Sequence, residues 1–444
     1  MAEKYDYDLV VIGSGSGGLA AARHAKKLGR RVAIAEKNAI GGTCVNRGCI
    51  PTKLMIYAAE FAKSHQIAGD YGWSECDRQF DWKTFKQAMD SHISAIRESQ
   101  IDGLEGIDIL RGQAKFVDAH TLEIDEQQVS TQFVLLAVGA RPNMPDIPGI
   151  EYAIDSKDVF ELEDLAASFV IVGGGYIGVE LAQVFRYYGR EVTIVDTHPY
   201  LLDGFDEDAQ KRVKEILEKD GVKVIDKARL KEIEKVEHGF KAILEGQTIT
   251  PTASQVMCAL GRKANIETLN LQAVKVTTQK GKIVVDEYKR TQENTVFAVG
   301  DCTDTIMLTP VAKAEGEAAV DTMFGEPKQI DYRWVPSAVF MQPEVAQVGP
   351  TEAEANEQGL NVEVLRSTFT PLKNGMASVE SVDALIKLIV DKESQQILGV
   401  HLVAPRAADL IQMLVPALKK GLTLSELRET ISIHPSTGEE LFCL

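Results

Sequence analysis

Two cysteines five positions apart have the clearest capacity for chemistry in this sequence. Cys44 and Cys49 lie within GGTCVNRGCIPTK, the stretch from Gly41 to Lys53. A pair with this spacing could be a structural disulfide, part of a metal site or a reactive dithiol that carries electrons. The spacing alone does not decide among the three, so the rest of the chain has to be considered.

The composition favours the reactive pair. Six cysteines in 444 residues are too few for a disulfide scaffold, which indicates a reducing compartment, where a surviving disulfide is usually catalytic. The sequence contains no C-x-x-C and no cluster of histidines, so a zinc site is disfavoured. A disulfide across so short a loop would also stabilise the fold less than one that closes a long loop.

Length, charge and hydropathy set the broad class. With 45% apolar and 25% charged residues the chain is typical of a soluble globular protein, and its 444 residues predict about three domains. The net charge of -17 disfavours nucleic acid and anionic membranes as partners. The N-terminus shows no secretory leader, and the apolar stretch 169–185 is interrupted by glycines and by Glu180. We therefore expect a cytoplasmic protein without a membrane span.

Two segments repeat one pattern: a strand, a glycine-rich turn, a helix, a capping glycine and a second strand that ends at an acid. The first copy has strands at 9–12 and 32–35 around a helix that runs to Leu28, and the second copy occupies 168–197. Two copies at this separation indicate a domain-scale duplication. Their glycines and acids are Gly13, Gly15, Gly18, Gly29 and Glu36, and then Gly173, Gly175, Gly178, Gly189 and Asp196.

This pattern is typical of dinucleotide binding. The glycines allow a tight turn and close approach to a pyrophosphate, the helix N-terminus faces its negative charge, and the acid accepts hydrogen bonds from a ribose. The alternative is that the glycines serve only the geometry of the turn. Both copies, however, also have the flanking strand, the helix, the capping glycine and the acid. In the second copy Asp196 would repel a 2′-phosphate, and before Asp206 only His198 could offer a positive charge. The sequence therefore predicts NAD rather than NADP there.

The pattern changes along the rest of the chain. A strand and a Pro/Gly-rich segment at 133–150 form the best candidate boundary, and 257–265 forms a weaker one. The stretch 295–304 predicts another buried strand that stops at an acid. From about Tyr332, short strands at 337–340, 384–390 and 397–402 precede a helix at 407–420, which predicts an α+β domain.

On these motifs the sequence resembles the class I pyridine nucleotide-disulfide oxidoreductases, the family of dihydrolipoamide dehydrogenase, glutathione reductase, trypanothione reductase and mercuric reductase. The resemblance spans nearly the whole chain. Its most specific motifs are GGTCVNRGCIPTK and the terminal IHPSTGEE, residues 433–440. Further motifs that carry it are GSGSGG (13–18), GGGYIGVE (173–180), ALGRKAN (259–265) and FAVGDC (297–302).

The resemblance implies a fold, cofactors and an assembly. The fold is α/β, with two Rossmann-like dinucleotide-binding domains plus a C-terminal α+β dimerisation domain. The cofactors are FAD and NAD, and the protein is a homodimer whose active site is shared across the interface. The implied division is 1–145 and 266–331 for the FAD-binding domain, 146–265 for the NAD-binding domain and 332–444 for the interface domain.

The resemblance also assigns catalytic roles. Cys49 is the cysteine beside the flavin, whose thiolate forms a charge-transfer complex, and Cys44 attacks the substrate disulfide. His434, oriented by Glu439, is the base that reaches the cysteines of the other subunit. The chemistry needs a histidine beside the cysteines, because a thiol is mostly protonated at neutral pH and a nearby imidazole must take its proton. A surface histidine near the C-terminus is the alternative for His434.

Further positions are expected at the cofactors. By resemblance, Lys53 and Glu180 form an ion pair near flavin and nicotinamide, and Asp301 holds the ribityl chain of the flavin. The full set of expected cofactor contacts is Gly13, Gly15, Gly18, Glu36, Gly42, Thr43, Lys53, Gly139, Asp301, Gly173, Gly175, Tyr176, Gly178, Glu180, Asp196 and Gly261.

The remaining cysteines carry less signal. Cys258 and Cys302 follow apolar strands and are expected as small core residues, whereas Cys76 lies in a polar stretch. Cys443 stands near the C-terminus, where some relatives of this family have a redox pair. Since only one cysteine is present there, we expect no redox role for it.

The substrate is the least determined feature. The CIPTK motif and Asp196 resemble dihydrolipoamide dehydrogenase, whereas Arg23 and IHPSTGEE resemble glutathione reductase. Glu317 aligns with an arginine that meets a glutathione carboxylate in glutathione reductases, so it would repel that anion. We therefore expect dihydrolipoamide dehydrogenase activity. The alternatives are an NAD(P)H-dependent reductase of a low-molecular-weight disulfide, a mercuric reductase-like enzyme and a flavoprotein subunit without turnover.

Overall fold

The computed structural model describes residues 5–74, 79–378 and 381–444, so Cys76 lies outside the described residues. The chain divides into two compact units, each built from separate segments, and each is described by itself. The first contains the described residues up to Pro51, Lys83–Asn143 and Gly261–Asp331, and the second contains those of Thr52–Trp82, Met144–Leu260 and Tyr332–Leu444.

The elements follow one another along the chain as below. The helices are α1 (Ser16–Lys27), α2 (Gly42–Arg47), α3 (Cys49–Gln66), α4 (Trp82–Asp102), α5 (Tyr176–Tyr187), α6 (Glu207–Lys219), α7 (Thr309–Phe324), α8 (Glu352–Glu357), α9 (Ala407–Leu418) and α10 (Leu424–Glu429). The strands are β1 (Tyr7–Ile12), β2 (Val32–Glu36), β3 (Asp108–Arg111), β4 (Ala114–Phe116), β5 (Thr121–Ile124), β6 (Gln127–Leu136), β7 (Ala140–Pro142), β8 (Ala153–Asp155), β9 (Ser168–Val172), β10 (Glu191–Val195), β11 (Lys223–Ile225), β12 (Leu230–Val236), β13 (Gly239–Leu244), β14 (Thr252–Ala253), β15 (Gln255–Cys258), β16 (Arg262–Ala264), β17 (Thr278–Gln279), β18 (Lys282–Ile283), β19 (Val296–Ala298), β20 (Ser337–Val339), β21 (Glu344–Val348), β22 (Val362–Phe369), β23 (Ala384–Asp391) and β24 (Ile397–Ala404).

The first unit is organised around a sheet of order β3-β2-β1-β6-β5-β4, with β19 paired to β6. The pairs among β3, β2, β1, β6 and β19 are parallel, and β4 and β5 extend the sheet in antiparallel fashion. Successive residues of β1 enter different cores: Val10 and Ile12 pack with Phe116, whereas Leu9 and Val11 pack with helix α1. A strand buried on both faces reads as a continuous apolar run, which is why its sequence lacks alternation.

The second unit contains a parallel sheet of order β11-β10-β9-β15-β8 and an antiparallel sheet β12-β13-β14. Phe169 of β9 stacks on Phe185 of α5, with ring centroids 4.2 Å apart, which fixes the helix on the sheet. Its C-terminal part is an antiparallel sheet of order β20-β21-β24-β23-β22, whose core includes α9 and α10.

The expected fold class is confirmed by these sheets. Two parallel-sheet α/β modules each contain a strand–glycine turn–helix–strand unit, and an antiparallel α+β part follows them. Gly29 and Gly189 end their helices with positive φ angles, as capping glycines do. The four-part domain division stays a prediction.

None of the helices in the described ranges is both long and apolar enough to cross a bilayer. Within the same ranges, no group of three or more His, Cys, Asp or Glu side chains is placed to hold a metal ion.

A buried lysine in the second unit forms ion pairs with three carboxylates. Lys387 of β23 is 1% exposed, and its ammonium lies 2.7 Å from carboxylate oxygens of Asp206, Asp208 and Glu352. Burial opposes its charge, but the hydrogen bonds to these three carboxylates outweigh that cost and raise the pKa of Lys387. Arg366 adds a second cation to Asp208 and Glu352. The cluster ties the start of α6 to the C-terminal sheet.

Replacing this lysine tests how much the cluster contributes to stability. In Lys387→Met three carboxylates lose their buried cation, and removing one partner of a buried ion pair typically costs about 3–5 kcal/mol. We expect a clearly lower unfolding midpoint in scanning calorimetry. Lys420→Met, at an exposed position, should leave the midpoint almost unchanged. Equal midpoints for the two variants would contradict a stabilising role for the cluster.

Candidate functional site

The two cysteines lie on either side of a break between two helices. Cys44 belongs to α2, Gly48 ends that helix, and Cys49 is the first residue of α3. Both are free thiols, and the Cys49 Sγ lies 3.8 Å from the Thr309 Oγ1 at the start of α7. The hydrogen bond to Cys44 and burial raise the pKa of Cys49 more strongly than the backbone N–H at this helix N-terminus lowers it.

Backbone packing and one amide hold the loop before the cysteines. Gly42 has a φ of +62°, and a Cβ there would lie 2.6 Å from the Gly15 Cα, so only glycine permits this approach. The Asn46 side-chain amide donates to the carbonyls of Ile40 and Gly42, at 3.0 and 2.9 Å. Arg97 in turn donates to the Asn46 Oδ1 at 3.0 Å. The cysteines are therefore presented by a fixed loop.

Each of the two thiols shifts the pKa of the other. A hydrogen bond from Cys49 lowers the pKa of Cys44 to about 6, against burial, with further help from Thr309, Lys313 and Ser16. The same hydrogen bond, together with burial, raises the pKa of Cys49. The pair thus loses its first proton at a lower pH than an ordinary cysteine and keeps the second one. Such a pair supplies a thiolate nucleophile at neutral pH.

His434 and Glu439 lie within hydrogen-bonding distance of each other, as the resemblance implies. The His434 Nδ1 lies 2.8 Å from the Glu439 Oε2, and since a carboxylate only accepts, Nδ1 carries the shared proton. The other oxygen of Glu439 accepts from the Ser436 backbone N–H at 3.0 Å, and this bond, followed by the one to His434, lowers the pKa of Glu439. The His434 side chain is 81% exposed, which leaves Nε2 available as a base.

The first glycine-rich turn has the shape of a dinucleotide cradle. Gly13 has a φ of +103°, and a Cβ there would lie 2.5 Å from the Ala137 carbonyl oxygen. A Cβ on Gly18 would collide with the Gly13 carbonyl, whereas one on Gly15 would meet no described atom within 4 Å. The space beside Gly15, at the N-terminus of α1, is where a pyrophosphate fits.

The second turn repeats the first in detail. Gly173 has a φ of +113°, a Cβ on Gly178 would collide with the Gly173 carbonyl, and Gly175 again faces space that the described residues leave open. In both copies the residue after the first glycine donates its backbone N–H to the strand-end acid. Ser14 donates to Glu36 at 2.8 Å, and Gly174 donates to Asp196 at 2.6 Å. Both acids are therefore held at the mouth of the turn, where a ribose would lie.

Further positions expected at the cofactors belong to the first unit. Gly139 and Gly261 both have positive φ angles and flank the antiparallel pair of β7 and β16. Asp301 follows β19, and its carboxylate lies 3.3 Å from the Arg262 Nε. Thr43, on α2, is exposed. These groups are partly accessible and could meet the polar part of a flavin.

Lys53 and Glu180 differ from the expected ion pair. The Lys53 Nζ lies 3.4 Å from Glu344, and 3.9 Å from the centre of the Phe340 ring. Glu180 accepts the Phe340 backbone N–H at 2.8 Å. Burial raises the pKa of Glu180 to about 7, and this hydrogen bond and then the Lys53 charge oppose the shift. Tyr176, the first residue of α5, is 43% exposed. The acid paired with Lys53 in the described structure is thus Glu344, which the sequence did not point to.

The structure also locates three of the other cysteines and Arg23. Cys258 and Cys302 are fully buried, which confirms them as core residues, and Cys443 is exposed. Arg23 donates to the Gly103 carbonyl and to both oxygens of Gln100, so it ties α1 to the end of α4. The sequence gives no sign that Thr309 and Lys313 act on the thiols, because they lie about 260 positions after them.

The hydrogen bond between the thiols can be tested by removing one of them. In Cys49→Ala the donor is lost, so the pKa of Cys44 should rise from about 6 toward the ordinary value of about 8.5. The measurement is the pH dependence of Cys44 alkylation by iodoacetamide in the reduced protein, followed by mass spectrometry. Cys443→Ala serves as the control and should keep the midpoint near pH 6. An unchanged midpoint in Cys49→Ala would show that the second thiol does not lower the pKa.

Comparisons with known proteins agree with this geometry. A model of the pyridine nucleotide-disulphide oxidoreductase family matches residues 7–316, and a model of the dimerisation domain of that family matches residues 335–442. The chain is 37% identical to a glutathione reductase of Nostoc sp., with 98% of each chain covered. It is 33% identical to a mercuric reductase of Staphylococcus aureus, with 98% of this chain and 81% of that protein covered. Among solved structures, the HOCl-induced flavoprotein disulfide reductase RclA from Escherichia coli superimposes with a TM-score of 0.88 at 29% identity, over 99% of both chains.

Proposed function

This chain belongs to the pyridine nucleotide-disulphide oxidoreductase family, whose members use FAD and NAD(P)H, and we propose that it reduces a low-molecular-weight disulfide with NADH. The observation that carries the proposal is the placement of two free cysteines on either side of the break between α2 and α3, with the Cys49 Sγ 3.8 Å from the Thr309 Oγ1. The hydrogen bond from Cys49 also lowers the pKa of Cys44 to about 6. A pair of this kind is ready to exchange with a disulfide at neutral pH.

Thiol–disulfide exchange balances as two successive attacks. The Cys44 thiolate attacks one sulfur of the substrate, the substrate S–S bond breaks, and the first product leaves as a thiolate that takes a proton. Cys49 then gives up its proton and attacks the Cys44 sulfur, so the second thiol leaves and a Cys44–Cys49 disulfide forms. The dithiol loses two electrons and the substrate gains two. Bound FAD would return two electrons from NADH to that disulfide.

The residues that would hold these cofactors fit them. The first cradle, with Gly13, Gly15 and Glu36, would take the pyrophosphate and ribose of FAD, and Asp301 would meet its ribityl chain. The second cradle, with Gly175 and Asp196, would take NADH. The Asp196 carboxylate accepts from the backbone N–H groups of Gly174 and His198, which fixes its position where a 2′-phosphate would be repelled. NADH is therefore the preferred reductant in this proposal.

His434 is proposed as the proton donor and acceptor, supplied by a second subunit. Its neighbours Ile431 and Ile433 are 96% and 79% exposed, and Met413 is 80% exposed. Ile431 and Ile433 lie two positions apart in the sequence, and exposed apolar side chains grouped in one segment are typical of an interface. They lie within the residues matched by the family's dimerisation domain, which supports a homodimer that covers them and brings His434 to the cysteines of its partner.

The choice of a reductase departs from the sequence-based expectation of a dihydrolipoamide dehydrogenase. Relatives aligned over nearly their whole length are named glutathione reductases, and RclA is named a flavoprotein disulfide reductase, which supports the reductive direction. Dihydrolipoamide dehydrogenase stays the second candidate because exposed Glu317 suits a neutral substrate better than an anionic one. Arg23 is one of the residues in which the sequence resembles glutathione reductase. Its guanidinium already donates hydrogen bonds to Gln100 and to the Gly103 carbonyl.

Steady-state assays separate the two candidates. We expect NADH-dependent reduction of a low-molecular-weight disulfide, tested with glutathione disulfide and the disulfide of mercaptoethanol, and a lower kcat/KM with NADPH. Reduction of NAD⁺ by dihydrolipoamide should be slower. Turnover confined to dihydrolipoamide with NAD⁺ would overturn the reductase assignment, and equal efficiency with NADPH would overturn the coenzyme assignment.

Variants identify the residues that act in these assays. Cys44→Ala should abolish turnover, whereas Cys443→Ala should retain it. His434→Gln should lower kcat about 10²- to 10⁴-fold, the usual contribution of general acid–base catalysis. His238→Gln, at an 89% exposed position, is the matched control and should be unaffected. Full activity of His434→Gln would remove the histidine from the proposed mechanism.

A further inference from the structure

A fully buried glutamate contacts the turn that carries Asp301. Glu315 of α7 has no exposed surface, and its Oε2 accepts the Gly300 backbone N–H at 2.7 Å. Its Oε1 accepts from the Thr305 hydroxyl at 2.6 Å and lies 2.9 Å from the Lys289 ammonium. Both oxygens of this carboxylate are therefore engaged, and one of them holds the backbone directly before Asp301.

The Gly300 turn is held from its other side as well. Gly300 has a φ of +71°, a conformation that glycine adopts readily. Its carbonyl accepts from the backbone N–H and from the hydroxyl of the fully buried Thr303, at 2.8 and 2.9 Å. Since the N–H and the carbonyl of Gly300 are both bonded, Glu315 and Thr303 together define the backbone that presents Asp301. The Asp301 side chain itself is 25% exposed and can meet a polar ligand.

A buried cation balances the charge of Glu315. The Lys289 side chain is 8% exposed and that of Glu315 is 0% exposed. An isolated buried carboxylate is very costly, and a buried ion pair is stable only where further hydrogen bonds satisfy its remaining atoms. The bonds from Gly300 and Thr305 meet that condition. A charged acceptor also forms shorter and stronger hydrogen bonds than a neutral one, in agreement with the 2.7 Å bond from Gly300.

Helix α7 connects this carboxylate to the first dinucleotide cradle. A Cβ on Gly316 would lie 2.4 Å from the Gly17 carbonyl oxygen, and a Cβ on Gly17 would lie 2.9 Å from the Ala312 carbonyl oxygen. Helix α7 thus packs backbone against backbone on α1, whose N-terminus forms the cradle. The cradle and the Asp301 turn are therefore attached to the same helix, and Glu315 makes the second attachment.

We propose that Glu315, paired with Lys289, is a positioning residue for FAD, which holds Asp301 in a fixed place relative to the first cradle so that one cofactor meets both. This inference rests on the placement of FAD under the proposed function, with the pyrophosphate beside Gly15 and the ribityl chain at Asp301. A ligand that binds at two points gains affinity when both are preorganised, since less ordering is needed on binding. Loosening the turn should weaken FAD binding without removing any group that contacts the cofactor.

The first test compares two double variants that differ at position 315. Lys289→Met with Glu315→Gln removes both buried charges but keeps an oxygen that can accept from Gly300, whereas Lys289→Met with Glu315→Leu removes this acceptor as well. The measurement is the dissociation constant of FAD, from flavin fluorescence on serial dilution of the holoenzyme. We expect the glutamine variant to stay within about 3-fold of the wild type and the leucine variant to bind FAD about 10-fold more weakly or worse, because a buried N–H is left unpaired. Equal dissociation constants would overturn the proposal.

A double-mutant cycle with Asp301→Ala separates positioning from a general structural role. Asp301→Ala alone should weaken FAD binding. If Glu315 acts through Asp301, adding the leucine variant should cost little more, so the combined loss is much smaller than the product of the two separate losses. Losses that multiply would reveal a structural role independent of Asp301 and contradict the proposal. Wild-type affinity in Asp301→Ala would contradict it as well.

Two further variants cover the case in which the leucine variant does not fold. Thr305→Val removes one hydrogen bond to Glu315 and leaves both charges, so FAD binding should weaken roughly 3- to 10-fold. Lys282→Gln breaks an ion pair with the 92% exposed Asp304 and is the control that should keep the wild-type affinity. Equal affinities in these two variants would overturn the proposal. None of the measurements needs turnover, so absence of activity on every disulfide would refute the proposed function alone.

Discussion

The hydrogen bond between the thiols of Cys44 and Cys49 is the interaction on which the chemistry of this protein depends. Cys44 lies in α2, which ends before Gly48, and Cys49 begins α3 with its Sγ 3.8 Å from the Thr309 Oγ1. The hydrogen bond lowers the pKa of Cys44 and raises that of Cys49, which favours one thiolate and one thiol in the reduced pair. The close approach of Gly42 to Gly15 and the hydrogen bond from the Asn46 amide to the Ile40 carbonyl hold the loop in place.

Much of the surrounding scaffold could be predicted because it is local. Each glycine-rich turn needs residues at fixed offsets, and the acid lies at the end of the next strand, so one sequence window contains the whole unit. The structure adds that the turn itself donates a backbone N–H to that acid, in the same way for Glu36 and Asp196. The pairing of His434 with Glu439 was also predictable, since both lie in one short capped segment.

What escaped prediction lies far apart in sequence. The partner of Lys53 is Glu344, the buried cation of the second unit is Lys387, and the α7 face beside the cysteines begins at Thr309. Each of these contacts joins segments more than 150 positions apart, where local spacing carries no information. Substrate choice belongs to the same group, because it depends on which side chains the tertiary fold brings to Cys44. That is why the sequence favoured dihydrolipoamide dehydrogenase, whereas the relatives support a disulfide reductase.

The most direct test of the central claim is an anaerobic titration of the oxidised FAD-containing protein with NADH, followed by alkylation and mass spectrometry. If Cys44 and Cys49 carry the electrons, about two electrons per flavin should convert these two residues, and no other cysteine, into alkylated thiols. Reduction of the flavin without new thiols at Cys44 and Cys49 would contradict the account.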